Sequence, residues 1–191
     1  MKNILINIIC REAVLEERLI SLIDKCYNEN YNVCVNLCDY TLEKNVKDIN
    51  IINVDRENQF AVNVKELDFE DVSNHNSKLA ELMDDKSYDI VLDIESSIEL
   101  EDNFIDELEL NFLEDDNYGC VYCDFYSKTK SGHKIHIHQK SLPLVNNSLP
   151  LIAFSVKNYL KHIGSQNVKG DILANMISRH IPKALCCITN A

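Results

Sequence analysis

The chain has 191 residues, 46% of them hydrophobic, and a formal net charge of -12. That length and composition furnish one substantial core, and with only 4 Gly and 3 Pro no stretch reads as a flexible linker, so a single domain is the economical organisation. The acid excess argues against nucleic acid as a partner, because a phosphate backbone is held by clustered Lys and Arg.

Met1-Lys2-Asn3 runs directly into the apolar segment Ile4 to Cys10, which is too short for a transmembrane segment and lacks the pattern of a signal peptide. The eight cysteines lie mostly inside apolar stretches, where a thiol behaves as a small hydrophobe. The expectation is a cytoplasmic protein with reduced thiols. Asn3 to Ile9 is a nearly continuous apolar run, the pattern of a strand buried on both faces of a parallel sheet. Leu15, Leu19, Leu22, Ile23 and Cys26 then fall on one face of a helix. Val33 to Leu37 predicts a second strand and Ile49 to Val54 a third. Helical spacing returns at Val72, Leu79, Leu82 and Met83, followed by a short buried strand, Tyr88 to Asp93, that ends in an acid.

Phe104, Ile105, Leu108 and Phe112 make another helix face, with the acids from Glu99 to Asp106 read as its solvated start. Tyr118 to Phe125 is again strand-like. Strict alternation in Lys134-Ile135-His136-Ile137-His138 predicts a half-exposed antiparallel strand. Helix patterns follow at Val156, Tyr159, Leu160 and Ile163 and at Ile172, Leu173, Met176 and Ile177, and Ala184 to Ile188 closes the chain as a strand or extended tail. Alternating strands and helices in the first half predict right-handed βαβ units and an α/β fold with a mainly parallel sheet. Ligands of such sheets sit beyond the carboxyl ends of the strands, which here carry Asp39, Asp93 and Glu95.

The stretch Tyr88-Asp89-Ile90-Val91-Leu92-Asp93-Ile94-Glu95, followed by Asn103-Phe104-Ile105, resembles the core of family 2 glycosyltransferases, in which a buried strand ends in an Asp-x-Asp motif. Ile8 to Leu15 is similar to that family's first strand and helix, with Cys10 where an Asn is usual. Arg56-Glu57-Asn58-Gln59 resembles its Glu-Asn-Gln turn, with Phe60 in place of Gly. Cys120 to Asp124, Ile152 to Ser155 with His162-Ile163-Gly164, and Arg179-His180-Ile181-Pro182-Lys183-Ala184-Leu185 resemble later family segments in the right order.

The resemblance implies a Rossmann-like GT-A fold over residues 1–191, with 1–98 as the nucleotide-binding half and 99–191 as the acceptor-side half, and a sheet carrying a small antiparallel element. It implies a transferase, inverting in mechanism, that moves a sugar from a nucleotide-sugar donor to a hydroxyl acceptor. A diphosphate leaving group needs its charge neutralised, for which Mn²⁺ or Mg²⁺ serves. Alternation points Asp93 and Glu95 to one side of the strand, so they can share an ion. By the resemblance Asp93 lies at the ribose or metal, Glu95 ligates the metal, Asp39 hydrogen-bonds the nucleotide base, and Asp171 is the general base.

Blander readings stand beside these. Asp171 also suits a helix N-cap. Cys120 and Cys123 have zinc spacing, but an odd separation in a strand sends them to opposite faces. His136 and His138 share a face and read as solvated, and His180 reads as packing beside Pro182, with a metal-ligand role known in some relatives as the alternative. A noncatalytic binding module that kept the fold is the second function class, favoured by Asp-x-Glu and Phe60. A nucleotidyltransferase is the third, disfavoured because nothing Gly-rich follows Ile9. Donor sugar, acceptor and assembly, a homo-oligomer included, are left open.

Overall fold

The computed structural model describes residues 1–41, 46, 60–66, 87–113, 117–139, 149–158 and 177–189. The strands are β1 (Lys2–Cys10), β2 (Tyr31–Asp39), β3 (Phe60–Glu66), β4 (Ile90–Glu95), β5 (Ile98–Leu100), β6 (Cys120–Lys128), β7 (Lys134–Ile137), β8 (Leu151–Ser155) and β9 (Ser178–Thr189). Among the described residues they are accompanied by the helices α1 (Glu16–Cys26) and α2 (Phe104–Leu113). All nine strands join one sheet in the order β3-β2-β1-β4-β8-β6-β9-β5, with β7 paired to β6.

From β3 through β4 the pairing is parallel. β8 runs antiparallel to both β4 and β6, and β6 pairs parallel with β9. With β8 reversed between them, β4, β6 and β9 therefore point the same way, and their carboxyl ends share one edge. The molecule is a mixed, strand-rich α/β fold whose first half is parallel as expected. β7 is antiparallel to β6, as the alternation of 134–138 implied.

β1 owes its central place to a run buried from Ile4 to Cys10. Ile4, Ile6 and Ile8 pack in one cluster with Leu19, Leu22 and Ile23 of α1 and Phe104, Ile105 and Leu108 of α2. Each such side chain contributes about 1.5–3 kcal/mol by leaving water. Glu16 and Glu17 in the first turn of α1 and Lys25 in its last complement the helix dipole. Leu15, expected on the buried face, is instead 76% exposed, because it is the extended residue before the first turn.

The described strand after β2 is β3, at Phe60–Glu66, a segment the sequence pattern did not single out. The expected strand at Ile49 to Val54, the helix around Val72 to Met83, and Ile172 to Met176 of the next expected helix lie outside the described residues; Ile177, expected on that helix face, is non-helical and 50% exposed just before β9. Helical backbone does begin at Val156. Glu99 is not part of a helix start: it is the exposed middle residue of β5, between buried Ile98 and Leu100. β9 begins at Ser178, earlier than expected, and is interrupted at Pro182. Cys123 faces Ile181 while Asp124 faces Ala184, so Pro182 and Lys183 are the extra residues of a bulge, where a residue without an N–H costs no ladder bond. No helix among the described residues is long and apolar enough to cross a membrane. All eight cysteines are free thiols.

Candidate functional site

Register places Asn63, Asn36, Asn7, Asp93, Ile152, Tyr122 and His180 opposite one another across seven strands. Directly paired residues project from the same face, so this is one row of side chains spanning the sheet. Its left half is polar and hydrogen-bonded. The Asn36 Nδ2 donates to Asn7 Oδ1 at 3.1 Å, and the Asn7 Nδ2 donates to Asp93 Oδ1 at 2.9 Å. Asn7 is fully buried and Asn36 is 2% exposed, so these amides satisfy one another and hold the Asp93 carboxylate in a fixed orientation. The apolar reading of 3–9 passed over Asn7; a lone amide inside such a run was the available signal.

One pleat further toward the carboxyl edge stands Glu95, on the same side of β4 as Asp93. Both are half-buried. The Glu95 Oε1 pairs with Arg11 Nη1 at 2.8 Å. The Arg11 Nε is buried without a hydrogen-bond partner among the described residues, so the guanidinium retains an unused donor. Cys10, standing where the resemblance has Asn, is pushed up to about 12, chiefly by burial, and is a neutral packing group. Asp39, at the end of β2, is fully buried and ties down the chain that follows it. Its Oδ1 accepts from the Thr41 N–H at 2.9 Å and the Thr41 hydroxyl at 2.6 Å, and its Oδ2 from the Val46 N–H at 3.2 Å.

The right half of the edge is built around Asp124 of β6, which is fully buried. Its Oδ1 accepts from the Gln139 N–H at 2.9 Å and from His180 Nε2 at 2.6 Å. Its Oδ2 faces His138 Nδ1 at 2.8 Å and His136 Nε2 at 3.1 Å. Burial pushes this carboxyl up, but the Gln139 N–H and the His180 and His138 imidazoles outweigh it, and the group is held below the usual carboxylate range. The turn that returns β7 over β6 closes through the Gly132 N–H to the Thr129 carbonyl at 2.8 Å, with Gly132 at φ +85°. That left-handed conformation suits glycine.

His180 stacks on Tyr122, ring centroids 5.2 Å apart, which accounts for its placement better than contact with Pro182. The sequence had shown His136 and His138 on one face; it gave no sign that Asp124 and His180 meet them, because that depends on strand pairing across 56 residues. Asp93 and Asp124 belong to one edge but not to one cluster: β8 separates their strands by two spacings, about 10 Å.

Cys120 and Cys123 do not share one packing environment. Both are buried within β6, and Cys123 packs in the main core while Cys120 does not. Asp171 and the Arg56 to Gln59 turn lie outside the described residues. A groove of about 520 Å³ runs between α1 and β5, lined by Arg18, Lys25 and Glu99 among others, and contains none of the residues of the carboxyl edge.

No protein-family profile matches the chain, and neither does any curated protein sequence. Solved structures do resemble it. TarS of S. aureus superposes with a TM-score of 0.56 at 13% identity over 100% of this chain and 37% of its own. A 1–349 form of TarS gives 0.56 at 12% identity, covering 99% of this chain and 60% of that one. The same form in complex with UDP-GlcNAc gives 0.55 at 12% identity, covering 100% and 59%. The chain thus spans less than two thirds of each of these proteins. At such identity the likeness is one of architecture: it shows that the chain shares the α/β fold of these proteins.

Proposed function

We propose that this chain is a GT-A-type domain that binds a nucleotide-sugar and transfers the sugar to a hydroxyl acceptor. The observation that carries the reading is Asp93 and Glu95 side by side at the carboxyl end of a central strand, in a fold whose likeness extends to a protein solved with UDP-GlcNAc. Asp93, oriented by Asn7, serves the ribose or the metal, and Asp39 lies toward the nucleotide base. The acid pair offers oxygen ligands alone, the chemistry that suits Mn²⁺ or Mg²⁺. A bound ion would neutralise charge on the departing diphosphate. Arg11 adds a cation that stays with the protein beside Glu95. Asp171 is the proposed base: it takes the proton of the acceptor hydroxyl as that oxygen attacks the anomeric carbon and the nucleoside diphosphate leaves, inverting the centre.

Isothermal titration with UDP-GlcNAc and with other UDP-, GDP- and TDP-sugars, with and without Mn²⁺, tests the reading. Binding that Asp93→Asn weakens at least about 10-fold supports it, by the loss of one charge-assisted contact. Absence of binding by every donor overturns it. The second reading, a noncatalytic donor-binding module, is favoured by the Arg11–Glu95 pair, since a guanidinium already engages the carboxylate that would hold the ion. Donor binding without hydrolysis or transfer, unchanged in Asp171→Asn, would select that module.

A further inference from the structure

We propose that Asp124, His136 and His138 form a second metal site, one that takes a divalent transition metal and stands apart from the Asp93/Glu95 pair. Their ligand atoms all lie within 4.8 Å of one another. The two oxygens of Asp124 have different work. Oδ1 already accepts two hydrogen bonds, from the Gln139 N–H and His180, which lock the carboxylate plane. Oδ2 is aimed at two imidazole nitrogens at 2.8 and 3.1 Å. Tetrahedral ligands at about 2.0–2.1 Å from an ion are about 3.3 Å from one another, so the two contacts to Asp124 Oδ2 need only a few tenths of an ångström of spreading to admit a metal.

The approach is open. The side chains of His138 and His136 are 63% and 35% exposed, whereas Asp124 is 0% exposed. A buried, oriented anion beneath two solvent-facing imidazoles is a three-ligand cup whose fourth position faces water. Exposed histidines are cheap to reorganise, and neutral imidazoles lose no charge on ligation. Imidazole ligands suit Zn²⁺, Ni²⁺ and the neighbouring late transition metals, whereas Mg²⁺, Ca²⁺ and Mn²⁺ suit oxygen ligands. The nearest cation on β7, Lys134, is directed to Glu101 at 3.2 Å rather than to the cup. His180 is the positioning residue: it holds Oδ1, fixing the direction of Oδ2, as carboxylate-bound partners do in known metal centres. The site clips the β6–β7 hairpin at the same edge as Glu95 but about two strand spacings away.

Co²⁺ titration of the full chain, followed by its visible d–d spectrum, tests the assignment directly. One equivalent should bind, giving a spectrum without a thiolate charge-transfer band, and Zn²⁺ should displace it while Mg²⁺ does not. His136→Gln and His138→Gln, both at exposed positions that leave the fold intact, should each weaken Co²⁺ at least about 10-fold, and Asp124→Asn more. His180→Gln should weaken binding without changing stoichiometry. Co²⁺ affinity unchanged in both histidine variants, or a spectrum dominated by thiolate, overturns the proposal. So does the absence of any d–d band. Asp93→Asn separates this site from the sugar-nucleotide reading: it should leave the Co²⁺ spectrum unaltered, and failure of donor binding in that variant does not bear on the cup.

Discussion

Replacing Asn7 with Leu probes the buried amide row with the least change of shape. Two hydrogen bonds disappear: the one Asn7 donates to the Asp93 carboxylate and the one it accepts from Asn36. A bond to a charged acceptor is worth about 1.5–3 kcal/mol, and a buried donor left without an acceptor, here the Asn36 amide, costs about 1–3 kcal/mol. Against this, a fully buried Leu gains about 1.5–3 kcal/mol of transfer energy. The net expected loss is about 1–3 kcal/mol. With a urea m-value of about 2 kcal/mol/M, the unfolding midpoint should fall by about 0.5–1.5 M. Asn3→Leu is the internal control. Asn3 accepts from Asn32 at 2.9 Å and donates to the Ser87 carbonyl at 3.1 Å, but it is half-buried at the strand start, where water substitutes. Its midpoint should move by less than about 0.5 M. Equal shifts in the two variants, or a midpoint that rises in Asn7→Leu, would refute the claim that burial makes the central row matter.

Leu19, fully buried in the main core, should lose about 3 kcal/mol on truncation to Ala, read as a lowered urea midpoint with unchanged m. Glu109 supplies a pH test. Burial pushes its carboxyl up, but the Lys2 ammonium and the Tyr31 hydroxyl, which donates at 2.8 Å, hold it below the usual range. A depressed carboxylate stabilises above its unfolded value of about 4.3 and loses that contribution as pH falls through the folded value, so the stability gap between wild type and Glu109→Gln should narrow steadily on acidification below about pH 4. Thiol labelling of the native protein should modify Cys34 first, because it is the one half-buried cysteine among eight and the other seven are buried.

Much of the frame was readable because it rests on local pattern. The runs at 3–9, 33–37 and 88–93 are apolar on both faces, which a parallel sheet alone demands, and β1, β2 and β4 lie there in neighbouring positions. The α1 and α2 faces followed from spacing for the same reason. β3 was hidden: Phe60-Ala61-Val62-Asn63-Val64 sits at the sheet edge with Val64 38% exposed, and its partial polarity blurs both strand patterns. β5 was hidden by brevity, a three-residue strand whose existence depends on β9 more than 80 residues later. The acids after it are not simply solvated, since Lys25 pairs with Asp102, Lys134 with Glu101 and Lys183 with Glu107, although exposed pairs of this kind contribute about 0.2–1 kcal/mol each. At the site, Asp93 and Glu95 were legible as a motif on one strand. The Asp124 cluster was not, because it draws on β6, β7 and β9 and exists as a site through pairing alone.

The placement of β8 explains how one edge accommodates two acidic centres in a chain of net charge -12. Its antiparallel course puts Pro150 at the carboxyl edge, where the Pro150 carbonyl accepts the Glu95 N–H at 3.0 Å, and puts apolar Ile152 in the row between Asp93 and Tyr122. Had β6 paired directly with β4, the two carboxylate centres would stand one strand apart, about 5 Å, and repel strongly in a half-buried setting. At about 10 Å they are separated by roughly a Debye length at physiological salt and by an apolar side chain, so each can be neutralised on its own terms. The structure displays that independence: Arg11 answers Glu95, and imidazoles answer Asp124. A sheet with a reversed spacer strand is therefore a means of holding two carboxylate centres on one edge without forcing either to give up its charge.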